Sequence, residues 1–184
     1  MKRKKERKKK ERKEKKMKMK MKKKKEKKKK MKRRILVVND DGIESKGVAI
    51  LVEAMATKAE MDIRISCPET NQSGVSHKVT LRGEIEVRKS KRVEFGGRWA
   101  IGVGGTPVDA VRVGMHLCGK TWKPEIVVTG VNEGNNLGEC SIYSGTVAAA
   151  VEAVAVYGIP GIAMSYDIRS YEEFTRDEER ERER

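Results

Sequence analysis

Short apolar runs alternate with stretches of helical periodicity through the middle of this chain, and this alternation limits its fold more than any other feature. The first run, residues 35–38, has the length and composition of a buried strand, and apolar residues then recur at helical spacing over 47–59. Strand-like and helix-like segments follow one another to residue 165. Strands joined by helices form right-handed βαβ units with parallel strands. The sequence therefore predicts an α/β fold with a doubly wound, mostly parallel sheet in three layers.

The same patterns place the remaining elements. Residues 84–95 and 98–103 are expected to form a hairpin or an edge extension of the sheet, with Gly96-Gly97 as the turn. Pro107 suits the first turn of a helix. Further strands are predicted at 63–66, 125–129 and 161–165, and further helices at 107–116 and 145–157.

The charge of the chain is concentrated at its N-terminal end. Residues 1–34 hold 25 of the 43 Lys and Arg but 4 of the 27 Asp and Glu, which gives this segment a net charge of +21 and leaves −5 for the rest. Like charges repel, and the segment lacks core-forming residues. We therefore predict a disordered Lys/Arg-rich tail at 1–33, a folded domain at 34–167 and a disordered Glu/Arg-rich tail at 168–184.

The lengths of the apolar runs and the number of cysteines indicate where in the cell the protein is expected. No run reaches the roughly 18 apolar residues that a transmembrane helix needs, so no membrane partner is expected. Cys67, Cys118 and Cys140 are odd in number and contain no CxxC pair, which favours reduced thiols in a cytoplasmic protein. The basic tail is also compatible with a nuclear location and with non-specific contact to nucleic acid.

The first polar motif, Asn-Asp-Asp-Gly at residues 39–42, directly follows the first predicted strand. Because Gly42 permits a sharp exit from the strand, Asp40 and Asp41 can converge instead of pointing to opposite faces. Neighbouring carboxylates repel unless a cation lies between them, and hard divalent cations prefer oxygen ligands. Asp40 and Asp41 are therefore candidate metal ligands. Since Asn, Asp and Gly also favour turns, a plain turn is the alternative.

The second motif is the polar loop 129–138, which follows the strand predicted at 125–129. Its three glycines let the backbone approach a ligand closely. Asn132 and Asn136 can offer an amide oxygen to a cation or an amide N–H to a phosphate. An ordinary polar loop is the alternative.

The third motif opens the helix predicted at 145–157. Ser144 is a good N-cap, and the N–H groups of Gly145 and Thr146 then point out of the helix start. Such an end attracts anions through its unpaired donors and its dipole. A plain helix cap is the alternative.

Two further residues are candidates. Ser73 lies in a segment of small polar residues after the second predicted strand and can supply a neutral oxygen ligand, although a turn is the alternative. His77 is a candidate for binding or proton transfer, whereas His116 falls on a predicted helix and is expected to be structural.

These segments, in this order, resemble the SurE family of survival-protein nucleotidases over roughly residues 34–166. Each piece alone is a turn or a loop, whereas five of them in one order are specific. The matching residues are 35–43, Pro68, 72–74, 105–107, Asp109, 129–132, Gly134, 136–138 and 143–150.

The resemblance implies a divalent-metal-dependent phosphomonoesterase that hydrolyses nucleoside monophosphates on a Rossmann-like α/β fold. It also implies one divalent ion, Mg²⁺ or Mn²⁺. Asp40 and Asp41 are the candidate catalytic residues; Asp40 is the better candidate for base or nucleophile and Asp41 for ligand, but the sequence does not separate these roles. The implied metal ligands are Asp40, Asp41, Ser73 and Asn132, and the implied phosphate- or substrate-binding residues are Asn39, Asn136, Ser144, Gly145 and Thr146.

SurE proteins continue well beyond the last predicted strand, so the resemblance implies a chain truncated at its C-terminus. We therefore expect apolar surface exposed near 159–165. The full-length family is expected to form homo-oligomers. Two alternatives to an active enzyme remain: a truncated module that binds metal and nucleotide without turnover, and a protein associated with nucleic acid through its basic tail.

Overall fold

The computed structural model describes Met17, Met19 and residues 32–167 except Ala59 and Lys120. The chain separates into two compact units, Met1–Lys32 and Arg33–Arg184, and the β-sheet belongs to the second. The first strand begins at Arg33, the last residue of the predicted basic tail. The other predictions for 1–33, and those for 168–184, fall outside the described residues.

Strands and helices alternate along the described chain as the apolar pattern predicts. Thr106 caps its helix through a capping box with Asp109, and Ser45 and Ser144 cap two other helices. In chain order the elements are β1 (Arg33–Val38), α1 (Lys46–Ala56), β2 (Met61–Pro68), β3 (Val87–Lys89), a 3₁₀ helix (Val93–Phe95), β4 (Ala100–Val103), α2 (Pro107–Leu117), β5 (Ile126–Glu133), α3 (Cys140–Tyr143), α4 (Gly145–Tyr157) and β6 (Gly161–Tyr166).

The described strands form one sheet in the order β3-β4-β2-β1-β5-β6. All neighbours are parallel except β3 and β4, which are antiparallel. From β1 the chain builds the sheet outward through β2 and β4, then returns to the other side of β1 with β5. The carboxyl ends of β1 and β5 therefore meet at the point where the strand order reverses, which is where open α/β sheets bind ligands.

Successive residues of β1 enter two different cores. Ile35 and Val37 pack in a cluster with α1, whereas Leu36 and Val38 pack in a cluster with α2 and α4. The strand is thus covered on both faces, as parallel strands require. The three-layer, mostly parallel α/β fold predicted from the sequence is confirmed.

Several element boundaries differ from the prediction. Helix α1 ends at Ala56 instead of residue 59, and α3 was not predicted. The segment predicted as one strand at 84–95 contains only three strand residues, all exposed, because it lies at the sheet edge and carries many charges. Its end turns into the 3₁₀ helix, which buries Phe95 against the core on the α1 side.

Strand β6 leaves apolar surface uncovered. It is an edge strand, and Ile162 and Met164 are 46% and 40% exposed. Val151 and Val154 on the neighbouring α4 are exposed as well. The expectation of exposed apolar surface near 159–165 is confirmed. No helix in the described part of the chain has the length and apolar character needed to cross a bilayer.

Candidate active site

The predicted site lies where β1 ends. The turn at 39–42 leaves the strand with Gly42 at φ 100°, a left-handed conformation that glycine adopts without strain. A Cβ on Gly42 would lie 3.1 Å from the carbonyl carbon of Thr70. The backbone N–H of Gln72 donates to the Asp40 carbonyl oxygen at 2.7 Å. The turn after β1 is therefore packed against the segment after β2.

Asn39 supports this turn from inside the protein. Its side chain is fully buried, and Nδ2 donates to the Gly42 carbonyl oxygen and to Ser45 Oγ, each at 2.8 Å. Its Oδ1 is buried and has no hydrogen-bond partner among the described residues. The contacts thus place Asn39 beneath the turn, where it braces the exit from β1.

Asp40 is buried and is bound to the start of α4. Its Oδ2 accepts the backbone N–H of Thr146 at 3.1 Å, and its Oδ1 accepts the Thr146 hydroxyl at 2.5 Å. A carboxylate is favoured at a helix N-terminus by the helix dipole and by donors that the helix leaves unpaired. Since each carboxylate oxygen has two acceptor sites, both oxygens of Asp40 can accept a further partner.

Gly145 allows this close approach of strand and helix. A Cβ at this position would lie 2.9 Å from Asp40 Cβ and 2.8 Å from Pro107 Cγ, and real Cβ atoms essentially never come so close. The N–H of Val147 donates to the capping Ser144 hydroxyl. Two of the N–H groups at the start of α4 are thus already used, by Asp40 and by Ser144.

Asp41 faces β5. Its Oδ2 accepts the backbone N–H of Glu133 at 3.3 Å. Burial, and then the neighbouring charge of Asp40, raise the pKa of Asp41 to about 6, although the Glu133 hydrogen bond acts in the opposite direction. A cation bound beside Asp41 would offset both its burial and the neighbouring negative charge.

Asn132 and Asn136 lie on the β5 side of the site. The parallel register pairs Val38 with Thr129, which puts Asn132 on the strand beside the turn after β1. Asn132 is buried, and its Nδ2 donates to the Gly134 carbonyl oxygen at 2.7 Å, so its amide oxygen is the atom left to bind a cation. Asn136 Nδ2 donates to Ser165 Oγ at 3.2 Å, which ties the loop to β6.

Ser73 lies on the third side of the site. Its backbone N–H donates to Asn71 Oδ1, and the neighbouring residue Gln72 is bonded to Asp40. The side chain is exposed, and its hydroxyl makes no hydrogen bond with Asp40 or Asp41. The structure therefore brings the segment of Ser73 to the site without joining the hydroxyl to the carboxylates.

The donor set fits a hard divalent cation. It contains two adjacent carboxylates, one amide oxygen and one hydroxyl, and such cations take oxygen ligands of these kinds. Within residues 32–167, no group of three or more His, Cys, Asp and Glu is placed to hold a metal. The predicted ligand set contains only two residues of those four types, Asp40 and Asp41. Its suitability for a cation therefore depends on these two carboxylates, and the neutral oxygens of Ser73 and Asn132 would supply the remaining ligands.

A buried carboxylate that was not predicted as part of a site lies farther along α4. Glu152 is 5% exposed, and its Oε2 lies 2.9 Å from Nε2 of His77. The sequence carries a signal for it, because Glu152 is the one charged residue in the otherwise small and apolar helix 145–157. His116 is exposed near the end of α2.

A comparison with protein families matches residues 35–183 to the SurE family, described as survival protein SurE. Two curated relatives are the 5'-nucleotidase SurE of Paramagnetospirillum magneticum, 43% identical over 132 residues, and 5'-nucleotidase SurE 1 of Thermus thermophilus, 43% identical over 134. These alignments cover 72% and 73% of this chain but 48% and 51% of the relatives. The chain thus spans about half the length of the curated relatives it matches.

A solved structure gives the same result. The crystal structure of the SurE protein from Aquifex aeolicus superposes with a TM-score of 0.61 at 36% sequence identity. The superposition covers 72% of this chain and 50% of that one.

Proposed function

Because this chain belongs to the SurE family, we propose that its site hydrolyses nucleoside monophosphates as a divalent-metal-dependent phosphomonoesterase. The observation that carries the proposal is the Asp40–Asp41 pair at the β1/β5 crevice, with Asp40 bonded to the start of α4. In this proposal a cation site lies beside a helix end that attracts anions, and the contacts of Asp40 support that arrangement. A phosphate monoester needs both features.

In this proposal Asp40, Asp41, Ser73 and Asn132 hold one Mg²⁺ or Mn²⁺. When bound, the ion supplies Lewis-acid polarisation of a phosphoryl oxygen and neutralises its charge. The raised pKa of Asp41 supports its role as a ligand, since the cation replaces the unfavourable proximity of two negative charges.

The protein's own groups orient the phosphate. We assign phosphate binding to the Gly145 N–H, the Ser144 hydroxyl and the Asn136 amide, whereas Thr146, whose N–H and hydroxyl both donate to Asp40, has no donor left for the phosphate. Phosphoryl transfer relies on positioning and on stabilising charge at the phosphoryl oxygens. Asp40, fixed by two hydrogen bonds from Thr146, is assigned the orientation and deprotonation of the attacking water. Asn39 braces the turn.

The direct test is phosphate release from nucleoside monophosphates with and without Mg²⁺ or Mn²⁺. We expect turnover to require the ion, Asp40→Asn to lose about 100-fold or more in kcat, and Asp41→Asn to lose stimulation by the ion. Glu53→Gln, the same chemical change at an exposed site on α1, is the control. Full activity in excess chelator would contradict the proposal, and binding without turnover would favour the inactive module.

The charge of the basic segment supports a second candidate function. With +21 in 34 residues, it is suited to neutralise phosphate backbones non-specifically. We propose that deleting residues 1–33 abolishes binding to a mixed-sequence DNA or RNA, and that binding by the whole chain falls steeply as salt increases. Binding that survives the deletion would place any nucleic-acid contact elsewhere.

A further inference from the structure

Glu152 occupies a position where packing alone favours a small apolar residue. Its helix reads GTVAAAVEAVAVY, and Ala149 and Ala153 beside it are buried in the core. Burying a carboxylate is costly unless it is paired and hydrogen-bonded. Among the described residues, the hydrogen-bond and ion-pair partners of its carboxylate are His77, at 2.9 Å, and Arg112, whose Nε lies 3.9 Å from Oε1. The short contact to His77 is therefore the main partner of this buried group.

His77 belongs to a segment that is pinned across the carboxyl edge of the sheet. Gln72 N–H donates to the Asp40 carbonyl oxygen, and Ser76 N–H donates to the Tyr143 carbonyl oxygen at 2.9 Å. Farther along, the Thr106 hydroxyl donates to the Lys78 carbonyl oxygen at 2.6 Å. Residues 72–78, which we call the bridging segment, thus connect the carboxylate turn to α2 and α3.

Within the bridging segment, His77 is the residue tied to α4 by its side chain. Ser76 has a positive φ of 54°, which is strained for a residue with a side chain. His77 itself is an exposed residue, and its side chain is 42% exposed. A segment with a strained residue and much exposed surface is held in place by its end contacts, and the Glu152–His77 bond is one of them.

We propose that Glu152 is a positioning residue that fixes His77 and thereby holds Ser73 at the cation site. The helix that binds Asp40 at its first turn also binds the bridging segment two turns later. Glu152 and Gly145 are seven residues apart, so they lie on nearly the same side of α4. Helix α4 therefore adds a second restraint on the segment that bears Ser73, beside the direct hydrogen bond from Gln72 to Asp40. This role rests on the proposed function.

The test compares Glu152→Ala with Glu152→Gln in the full chain. Gln keeps the length of the side chain and an oxygen that accepts from His77, whereas Ala removes the contact. Val151→Ala, the adjacent exposed position on α4, is the control. The measurements are Mn²⁺ affinity by electron paramagnetic resonance, amide hydrogen exchange along the chain, and kcat and KM for a nucleoside monophosphate.

We expect Glu152→Ala to weaken Mn²⁺ binding about 10-fold, as loss of an outer-shell partner does, and to speed exchange within 72–78. Glu152→Gln is expected to retain most of the Mn²⁺ affinity and most of the protection from exchange within 72–78. Unchanged Mn²⁺ affinity and exchange in Glu152→Ala, equal effects of Ala and Gln, or faster exchange spread evenly over the domain would overturn the positioning role. If the unmodified chain hydrolyses no nucleoside monophosphate, the proposed function fails, while exchange and Mn²⁺ affinity still decide the role of Glu152.

Discussion

Asp40 and Asp41 are adjacent in sequence but are held differently. Asp40 is buried and accepts two hydrogen bonds from Thr146, whereas Asp41 is less buried and accepts one long bond from the Glu133 backbone. Burial and the charge of Asp40 raise the pKa of Asp41 to about 6. Asp41 has fewer hydrogen bonds to compensate for its burial and for the charge of Asp40. A bound cation should therefore stabilise the ionised form of Asp41 more than that of Asp40.

The raised pKa of Asp41 makes stability depend on pH in a defined direction. The folded chain binds this proton more tightly than the unfolded chain. The carboxyl group therefore has no destabilising effect at acidic pH, where it is protonated in both states, and it lowers the free energy of unfolding as the pH rises toward and through about 6. In chelator at pH 7.5, we expect Asp41→Asn to raise the melting temperature by about 3 °C, an amount reduced for its partial exposure. The gain should vanish near pH 4. A lower melting temperature at pH 7.5 would contradict the assigned environment.

In the presence of the cation, the unmodified chain should become more stable than Asp41→Asn. A ligand that binds only the folded state stabilises it by about 2.7 kcal/mol at one hundred times its Kd. We therefore expect Mn²⁺ to raise the melting temperature of the unmodified chain and of Glu53→Gln, and to leave Asp41→Asn nearly unchanged. Calorimetric scans with and without Mn²⁺ test this, and equal shifts in all three proteins would place the ion elsewhere.

The hydroxyl of Thr146 is the strongest local support of Asp40. Replacing Thr146 with Val removes the hydroxyl and leaves a buried carboxylate oxygen without its partner, which costs about 1–3 kcal/mol of unfolding free energy. Thr146→Ser keeps the hydroxyl and serves as the matched control. Urea unfolding of both variants measures the difference. A Val variant as stable as the Ser variant would show that the bond contributes nothing net.

The residue types of the site could be predicted from sequence, but their partners could not. A carboxylate pair after a strand and a capped helix start are local patterns, and both are in place. The bond between Asp40 and Thr146 joins residues 106 positions apart, so it depends on how α4 packs against β1. Glu152 was missed for the same reason, since its partner His77 lies 75 positions away.

At the scale of elements, the C-terminal end of β5 could not be predicted from the local sequence pattern. The strand predicted from the sequence ends at residue 129, and the glycine and asparagine residues that follow predict a loop. The strand nevertheless continues to Glu133, because after a register shift Asn132 pairs with Ser165 of β6. Sheet pairing thus overrides local propensity. That extension is also what brings the Glu133 N–H to Asp41.

The contact between β1 and α4 leads to a prediction about Gly145. Because a Cβ there would meet both Asp40 and Pro107 below 3.0 Å, Gly145→Ala should displace the helix start. Overpacking of this kind costs about 1–3 kcal/mol. We expect that loss of unfolding free energy in urea, together with loss of the proposed phosphatase activity. Val151→Ala, which changes the exposed side of the same helix, should alter unfolding free energy by less than about 0.5 kcal/mol. A Gly145→Ala variant with unchanged stability would mean that the helix start has room.

At the scale of the whole molecule, one edge of the described sheet carries exposed apolar surface. The β6 edge and the exposed side of α4 border a shallow cleft of about 350 Å³ lined by Val147, Ala150, Val151, Val154, Ala155, Gly161 and Ala163. Edge strands with exposed apolar residues tend to pair with other chains. This surface is therefore the part of the described structure most inclined to associate.

We expect the chain to self-associate in a concentration-dependent manner. Met164→Lys places a charge on the β6 edge, and this should shift sedimentation velocity profiles toward monomer without lowering the melting temperature. Val93→Lys, which changes an exposed apolar residue on the 3₁₀ helix, should leave association unchanged. A chain that is monomeric at all concentrations would show that the exposed surface is too small to drive association.

The bond between Asp40 and the start of α4 has a consequence for turnover. Under the proposed reaction, free phosphate is the product, and it meets a helix end whose positive pole already faces one carboxylate. A helix end without such an internal anion would retain phosphate more tightly. Under the proposed reaction we therefore expect Asp40 to weaken the binding of free phosphate and so to reduce inhibition by the product.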